Sequence, residues 1–280
     1  MRQFKSSLGF TLVEMVTVII ILGVLVVGVS SFIIFGTRIF VESSAVDQVM
    51  AESRFALERM TRDVRQSLPG SLRLASGSDG SRSWQCLELV PVVSSSSYIV
   101  LPVFPDSAST TGTALLDSGS SRVASGQWLF VYPLTADEVY QAAAGDTGKR
   151  VALQDVSVSA NELNLTFASA FRFVEASPRQ RVYFATTALS YCFIQTLASG
   201  DISLWHYSNY SLLATQASPA DMLSQGATES LMAQHIATAS PLSLYGATLL
   251  NNAMVQLDLG FNVNGQVFSY QHQMQVINVP

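Results

Sequence analysis

The chain has 280 residues, a formal net charge of −5 and only 12 % charged side chains, against about a quarter in an ordinary soluble domain. That balance leaves no cationic stripe to neutralise phosphates and argues against nucleic-acid binding. His206, His235 and His272 are scattered, and there is no metal-ligand spacing, Gly-x-Ser-x-Gly elbow or phosphate-cradling glycine loop; no catalytic residue, metal or cofactor is expected, and the chain reads as a non-enzyme.

From the N-terminus, Leu8-Gly9-Phe10-Thr11-Leu12-Val13-Glu14 leads into 23 residues without a charge, Met15 to Thr37. As a helix they span roughly 35 Å at about 1.5 Å per residue, enough for a hydrocarbon core of about 30 Å. Arg2 and Lys5 precede the apolar run and favour a cytoplasmic N-terminus, with nearly everything after Arg38 on the far side. A secretory signal cleaved near Val29-Ser30-Ser31 competes with this reading, but its apolar run would be shorter and no acid would interrupt its approach. A plain single-span anchor explains the length and leaves Glu14 unexplained, since a carboxylate at the threshold of a hydrocarbon-length segment is costly without a partner.

Gly9-Phe10-Thr11-Leu12-Val13-Glu14, with a basic leader before it and an apolar helix after it, resembles the processing motif of type IV prepilins and of the pseudopilins of type II secretion. The resemblance implies that a prepilin peptidase and methyltransferase cuts between Gly9 and Phe10 and methylates the new amine of Phe10. Residues 1–9 are then a cleaved leader and residues 10–37 the membrane-spanning, filament-core half of a helix. Cutting before the apolar stretch keeps it attached and heads it with an amine that is largely protonated at neutral pH. Glu14 lies four residues from Phe10 and can approach its own amine on one helix face. The resemblance implies a second partner, the amine of a neighbouring subunit. That contact would offset the cost of a lone acid in a membrane, about 2.5–3.5 kcal/mol, only in the correctly docked neighbour, making Glu14 a register pin.

No proline occurs before Pro69, so the spacing predicts one helix from Phe10 to Leu68, about 88 Å long. Val46, Met50, Ser53, Leu57, Met60, Val64 and Ser67-Leu68 recur at three- and four-residue steps, while Arg54, Glu58, Arg59, Arg62 and Asp63 take other faces. The half from 38 to 68 is therefore expected to lie on a globular domain with its charged face solvated. Its stretch Phe55 to Arg65 is similar to minor subunits of the pilin-W and pseudopilin-J kinds, and the chain as a whole, through the ending Gln275-Val276-Ile277-Asn278-Val279-Pro280, resembles the biogenesis proteins of mannose-sensitive haemagglutinin pili.

Pro69-Gly70 ends the helix, and residues 69–280 form the expected head, about 210 residues around a single core. Strand-like runs are Trp128 to Tyr132, Val182 to Phe184, Ser190 to Gln195 and Leu204 to Tyr207. Hairpins are predicted about Ala160-Asn161, with Val156 and Val158 beside Leu165 and Leu163, and about Asn264-Gly265. The second aligns Phe261 with Phe268, Leu259 with Tyr270, Leu257 with His272 and Val255 with Met274 on one apolar face. Ser94 to Ser97 and the Ser/Thr/Gly/Ala-rich Pro105 to Gly126 read as surface loops, and short helices are expected around Asp221 to Leu223 and Glu229 to Ala233. Asp79-Gly80 reads as a turn, with a calcium site as the rarer alternative. Cys86 and Cys192, the only two cysteines, would face an oxidising space and are expected to pair, with two separately buried thiols as the alternative.

The expected fold is α+β and pilin-like, a long N-terminal helix packed on a β-rich head. The functional expectation is a minor pilin that takes part in initiating a type IV pilus; a type II secretion pseudopilin, a pilus-associated adhesin and a membrane-tethered enzyme are the alternatives. The implied partners are the prepilin peptidase, other major and minor pilins, the inner-membrane assembly platform and membrane lipid. The implied location is the inner membrane in a single pass, with the head periplasmic or carried out in the filament. Tip-most subunits of such complexes commonly lack the glutamate, so Glu14 implies a place below the extreme tip.

Overall fold

The computed structural model describes residues 11–117, 119–246, 252–263 and 266–276. Its first element, α1 (Leu12–Arg65), is an unbroken helix of 54 residues. The chain divides into two compact units, Met1–Gln48 and Val49–Pro280, each taken by itself below.

In the first unit α1 is apolar on every side from Met15 to Thr37. The segment Leu12–Ser44 is long and apolar enough to cross a membrane, and none of it is buried within the protein. A helix greasy all round satisfies its own backbone but not its side chains, and those require an apolar surrounding.

In the second unit the last turns of α1 become one-sided. Ala56, Leu57, Met60 and Val64 are buried, as the three- and four-residue spacing predicts, while Arg54, Glu58, Arg62 and Arg65 are exposed. The side chains of Val46, Met50 and Ser53 lie outside the described residues. The helix stops three residues short of the expected Leu68 because the chain there has other partners. Ser67 bridges to Pro91, and the Leu68 amide donates to the Val90 carbonyl at 2.8 Å. Gly70 then turns at φ 75, where a Cβ would lie 2.8 Å from the Leu134 carbonyl carbon. Only glycine fits that approach.

Two sheets follow, antiparallel but for one short pairing, with strands numbered in chain order. The first takes β1 (Arg73–Ser78), β2 (Arg82–Leu89), β10 (Ala188–Thr196), β11 (Ile202–Tyr210), β12 (Thr228–Ile236), β14 (Met254–Val263) and β13 (Leu242–Tyr245) in that spatial order, with β15 (Gln266–Gln275) on the other edge of β14. The second runs β4 (Ser109–Leu115), β3 (Ser94–Val100), β9 (Arg181–Ala185), β5 (Trp128–Val131), β7 (Arg150–Ser159), β8 (Glu162–Phe173), with the two-residue β6 (Thr147–Gly148) parallel to β8. Because β4 also pairs with β8, six of these strands close on themselves.

Three cores result. The buried stripe of α1 packs on one face of the first sheet, against Leu87, Leu89, Tyr191, Phe193, Leu257 and Phe261 among others. The opposite face, with Cys86, Cys192, Ile194 and Tyr207, meets Phe130 and Tyr183 of the second sheet and two short helices, α2 (Ala136–Tyr140) and α3 (Pro219–Ser224). The closed strands hold a third core of alternate residues such as Leu129 and Val131, Val151 and Leu153, Leu163 and Leu165. The middle strands β2 and β10 are thus buried on both faces, without a break over residues 85–89 and 188–194, polar Gln85, Glu88 and Ser190 included.

The predicted strands at 128, 182, 190 and 204 are all present, the last three within longer elements, while the first ends at Val131 because Tyr132 turns at φ 51. Both hairpins have the predicted register: Val156 opposes Leu165 and Val158 opposes Leu163, while Phe261, Leu259, Leu257 and Val255 oppose Phe268, Tyr270, His272 and Met274. Asn264 and Gly265 lie outside the described residues.

Four expectations fail. The head holds three hydrophobic cores rather than one, because its strands divide into two sheets, one covered on both faces and the other closed on itself. Ser94 to Ser97 is not a loop but the start of β3, paired along its length with β9; its alternate hydroxyls are buried, and Ser96 donates to the Leu115 carbonyl at 2.7 Å. The tract Pro105 to Gly126 contains β4, whose small residues let Leu101 and Phe167 close in: a Cβ on Gly112 would lie 2.5 Å from Leu101 Cδ2. Glu229 to Ala233 is not helical but the middle of β12, held by pairing with β11. In the last three cases propensity yields to a neighbouring strand that supplies the backbone partners.

Candidate functional site

The first turn of α1 is built by Thr11. Its hydroxyl accepts the Glu14 amide at 3.3 Å, and its carbonyl accepts the amides of Glu14 and Met15 at 3.1 and 3.2 Å. Thr11 thereby caps the helix, and Glu14 stands three residues on, at the position where an acid complements the positive end of the helix dipole. Thr11 is the residue that the sequence-level argument misses, and the Thr-x-x-Glu spacing is the signal for it. Gly9 and Phe10 lie outside the described residues.

Beyond Glu14 the helix is equipped for a hydrocarbon surrounding. The hydroxyls of Thr17, Ser31 and Thr37 donate back to the carbonyls of Glu14, Val27 and Ile33 at 3.0, 2.9 and 2.7 Å, so none of the three presents an unsatisfied donor. The first ion pair along α1 among the described residues is Arg38 with Glu42, at 3.2 Å, where the uncharged stretch ends. Among the described residues no cationic side chain reaches the Glu14 carboxylate.

The second unit carries two polar knots. Cys86 and Cys192 face each other across β2 and β10 and form a disulfide with Cα atoms 4.1 Å apart. The expected pairing therefore stands. Nearby, Arg73 Nε lies 2.7 Å from Glu88 Oε2, its other nitrogens donate to the carbonyls of Leu213 and Ala214 at 2.8 Å, and its guanidinium lies 3.6 Å from the centre of the Tyr140 ring. Burial pushes the Glu88 carboxyl up, against the pull of Arg73. A buried pair of this kind ties four segments into one geometry more than it adds net stability.

On the opposite face, Tyr191, Asp63 and His206 form a second group. The Tyr191 hydroxyl donates to Asp63, whose other neighbours are Arg59 and Arg62 at 3.9 and 3.7 Å. His206 packs edge-on to Tyr191 at 5.2 Å, and burial lowers its pKa, with Arg59 adding to the effect and Asp63 opposing it. His235 and His272 lie on β12 and β15, so the three histidines belong to three strands. His272 Nε2 is 2.9 Å from Thr61 Oγ1, the hydrogen bond expected of a histidine on an apolar face.

Asp79 is fully used by its own turn. Its carboxylate accepts the amides of Ser81 and Arg82 at 3.1 and 2.8 Å and meets the Arg82 guanidinium, and these bonds, the Arg82 amide foremost, pull its pKa down to about 2. The turn reading accounts for the residue. Among the described residues no group of three or more His, Cys, Asp or Glu could hold a metal ion.

Two recesses among the described residues bear on binding. One, of about 440 Å³, is lined by hydroxyls of the closed strands with Asp106 and Asn164. The other, of about 540 Å³, lies between the flank of α1 and the β14–β15 hairpin, with Leu57, Phe261 and Tyr270 at its apolar part and Arg54, Glu58, Arg62 and Arg65 along it.

No protein-family model, no curated protein and no solved structure matches this chain.

Proposed function

We propose that the chain is a minor pilin-like subunit, anchored by α1 in the inner membrane and engaged in starting or joining a type IV pilus of the mannose-sensitive haemagglutinin kind. The observation that carries the reading is the combination at the helix start: a wholly exposed apolar helix of membrane-crossing length, headed by an acid with no cation beside it among the described residues. In water neither half of that combination is comfortable, and a membrane alone relieves only the first. A charged amine on the next subunit relieves the second. The disulfide fits a domain delivered to an oxidising space.

On this reading the prepilin peptidase cuts after Gly9, Phe10 becomes the methylated N-terminus, and Glu14 meets a neighbour's amine as the helices pack. Nothing in this scheme requires catalysis by the chain itself. The β-rich unit is the part presented to other pilins or to the assembly platform.

Mass spectrometry of the N-terminus of the membrane-extracted protein tests it. A chain beginning at methylated Phe10, together with reduced piliation in a deletion strain, is the expected result. A chain still beginning at Met1, or beginning beyond Ser30, overturns the reading. Normal pili with lost attachment in the deletion strain would mark an adhesin, and intact pili with lost protein export a secretion pseudopilin.

A further inference from the structure

We propose that the outer edge of β15, with the groove beside it, takes an extended acidic segment of a partner protein by strand addition. The inference is independent of the anchor reading, since every residue it uses lies in the second unit.

β15 spans ten residues, Gln266–Gln275, with no Lys, Arg, Asp, Glu or Pro among them, and among the described residues it pairs only with β14. Folded proteins usually blunt such an edge with charge, proline, a bulge or a covering loop, because its free amides and carbonyls are a template for another strand. The other flank of β14 is managed differently. There β13 has four residues, and Gln85 of β2 closes its start by donating Nε2 to the Leu242 carbonyl at 3.0 Å and accepting the Leu242 amide at 2.9 Å. Among the described residues no such device serves β15.

The groove beside that edge states what the added strand should look like. Its apolar part, Leu57, Phe261 and Tyr270, is bordered by three guanidinium groups, Arg54, Arg62 and Arg65, and by one carboxylate, Glu58; Arg62 also lies 3.7 Å from Asp63, so the border keeps an excess of positive charge, carried by Arg54 and Arg65, in a chain whose net charge is −5. An added strand turns alternate side chains to one face, so one set would enter the groove, apolar toward Tyr270 and acidic toward the arginines. Main-chain bonds to β15 would supply affinity and the arginines would select the charge.

The test uses the full-length chain in detergent and two fluorescein-labelled ten-residue peptides, one alternating Glu with Val and the other Lys with Val. Anisotropy should show micromolar binding of the Glu peptide, roughly tenfold or more weaker binding of the Lys peptide, and a similar loss for the Glu peptide on the Arg54→Gln/Arg65→Gln double variant. Arg54 and Arg65 are exposed and, unlike Arg62 beside Asp63, make no ion pair among the described residues, so an unchanged melting curve is expected to accompany that loss. Hydrogen exchange should slow at the amides of Val267 to Gln275 when the Glu peptide binds. The proposal is overturned if the Glu peptide does not bind, binds no better than the Lys peptide, or binds without protecting β15. Self-pairing of the chain through β15 with no peptide binding overturns it as well.

Discussion

Tyr191 donates its hydroxyl to Asp63 Oδ2 at 2.7 Å, tying the strand that carries Cys192 to the last turns of α1. The Asp63 side chain is only 17 % exposed, and burial together with the nearby carboxylate pushes the Tyr191 phenol well above its ordinary range. A bond between a largely buried hydroxyl and a charged acceptor contributes about 1.5–3 kcal/mol, so Tyr191→Phe should lower the unfolding free energy by that order without altering the fold. Urea unfolding followed by circular dichroism measures it, and an unchanged midpoint would show the bond to be energetically idle.

Gly70 is held at φ 75 with the Leu134 carbonyl carbon where its Cβ would be, so Gly70→Ala meets both backbone strain and a clash with main chain. A loss of about 1–3 kcal/mol or more is expected, read as a fall in Tm. Gly80, with φ 85 and open space around it, should lose less on the same change, which separates the clash from the strain.

Removing the disulfide by Cys86→Ser/Cys192→Ser opens a loop spanning a sequence separation of 106. The chain-entropy account gives on the order of 4 to 5 kcal/mol, and native disulfides of exported domains typically cost about 2–5 kcal/mol when removed. In the wild-type chain, alkylation should add mass only after reduction. Labelling of either cysteine without reductant would contradict the bridge.

His206 is buried, and its pKa in the folded state lies below the ordinary histidine value. The unfolded chain therefore binds the proton more readily, so stability is full above about pH 6.5 and declines as the pH falls below it toward the folded pKa. His206→Phe, which keeps an aromatic ring against Tyr191, should remove this decline while leaving the acid loss below about pH 4 that Asp79 contributes, since Asp79 must be protonated from its ordinary pKa down to about 2. Tm measured across about pH 2 to 8 for both proteins checks the sign.

Glu14→Ala is expected to leave processing at Gly9-Phe10 intact and to reduce incorporation into filaments, while Glu14→Asp should do so less. Because Glu14 also occupies the capping position set by Thr11, Thr11→Ala serves as the control. A cap defect alone would make the two alanine variants behave alike, whereas a register role sets Glu14→Ala apart. Cell-surface pili and the subunit's recovery in sheared filaments are the measurements.

The long elements and the local registers were legible because their causes are local. The apolar run from Met15, the stripe Leu57, Met60 and Val64, and the alternation that pairs Leu257 with His272 are written in spacing alone. The serine run of β3 and the Thr/Gly/Ala tract of β4 were not legible, since their own composition favours neither strand nor burial and their order comes from β9 and β8 alongside. The same holds for the knot at Arg73, whose partners Glu88, Tyr140 and Leu213 are dispersed along the chain.

For the site, residue order alone determined the membrane-length stem, the acid at its head and the cysteine pair, because each depends on length, charge placement or a count of two. Only the tertiary structure decided that Cys86 and Cys192 stand opposite on β2 and β10, that β4 and β8 close six strands on themselves, and that β15, which among the described residues pairs with β14 alone, lies beside a groove bordered by three arginines. Strand pairing brings together segments far apart in the chain, and the backbone groups it leaves over are visible only once every other strand has found its neighbour.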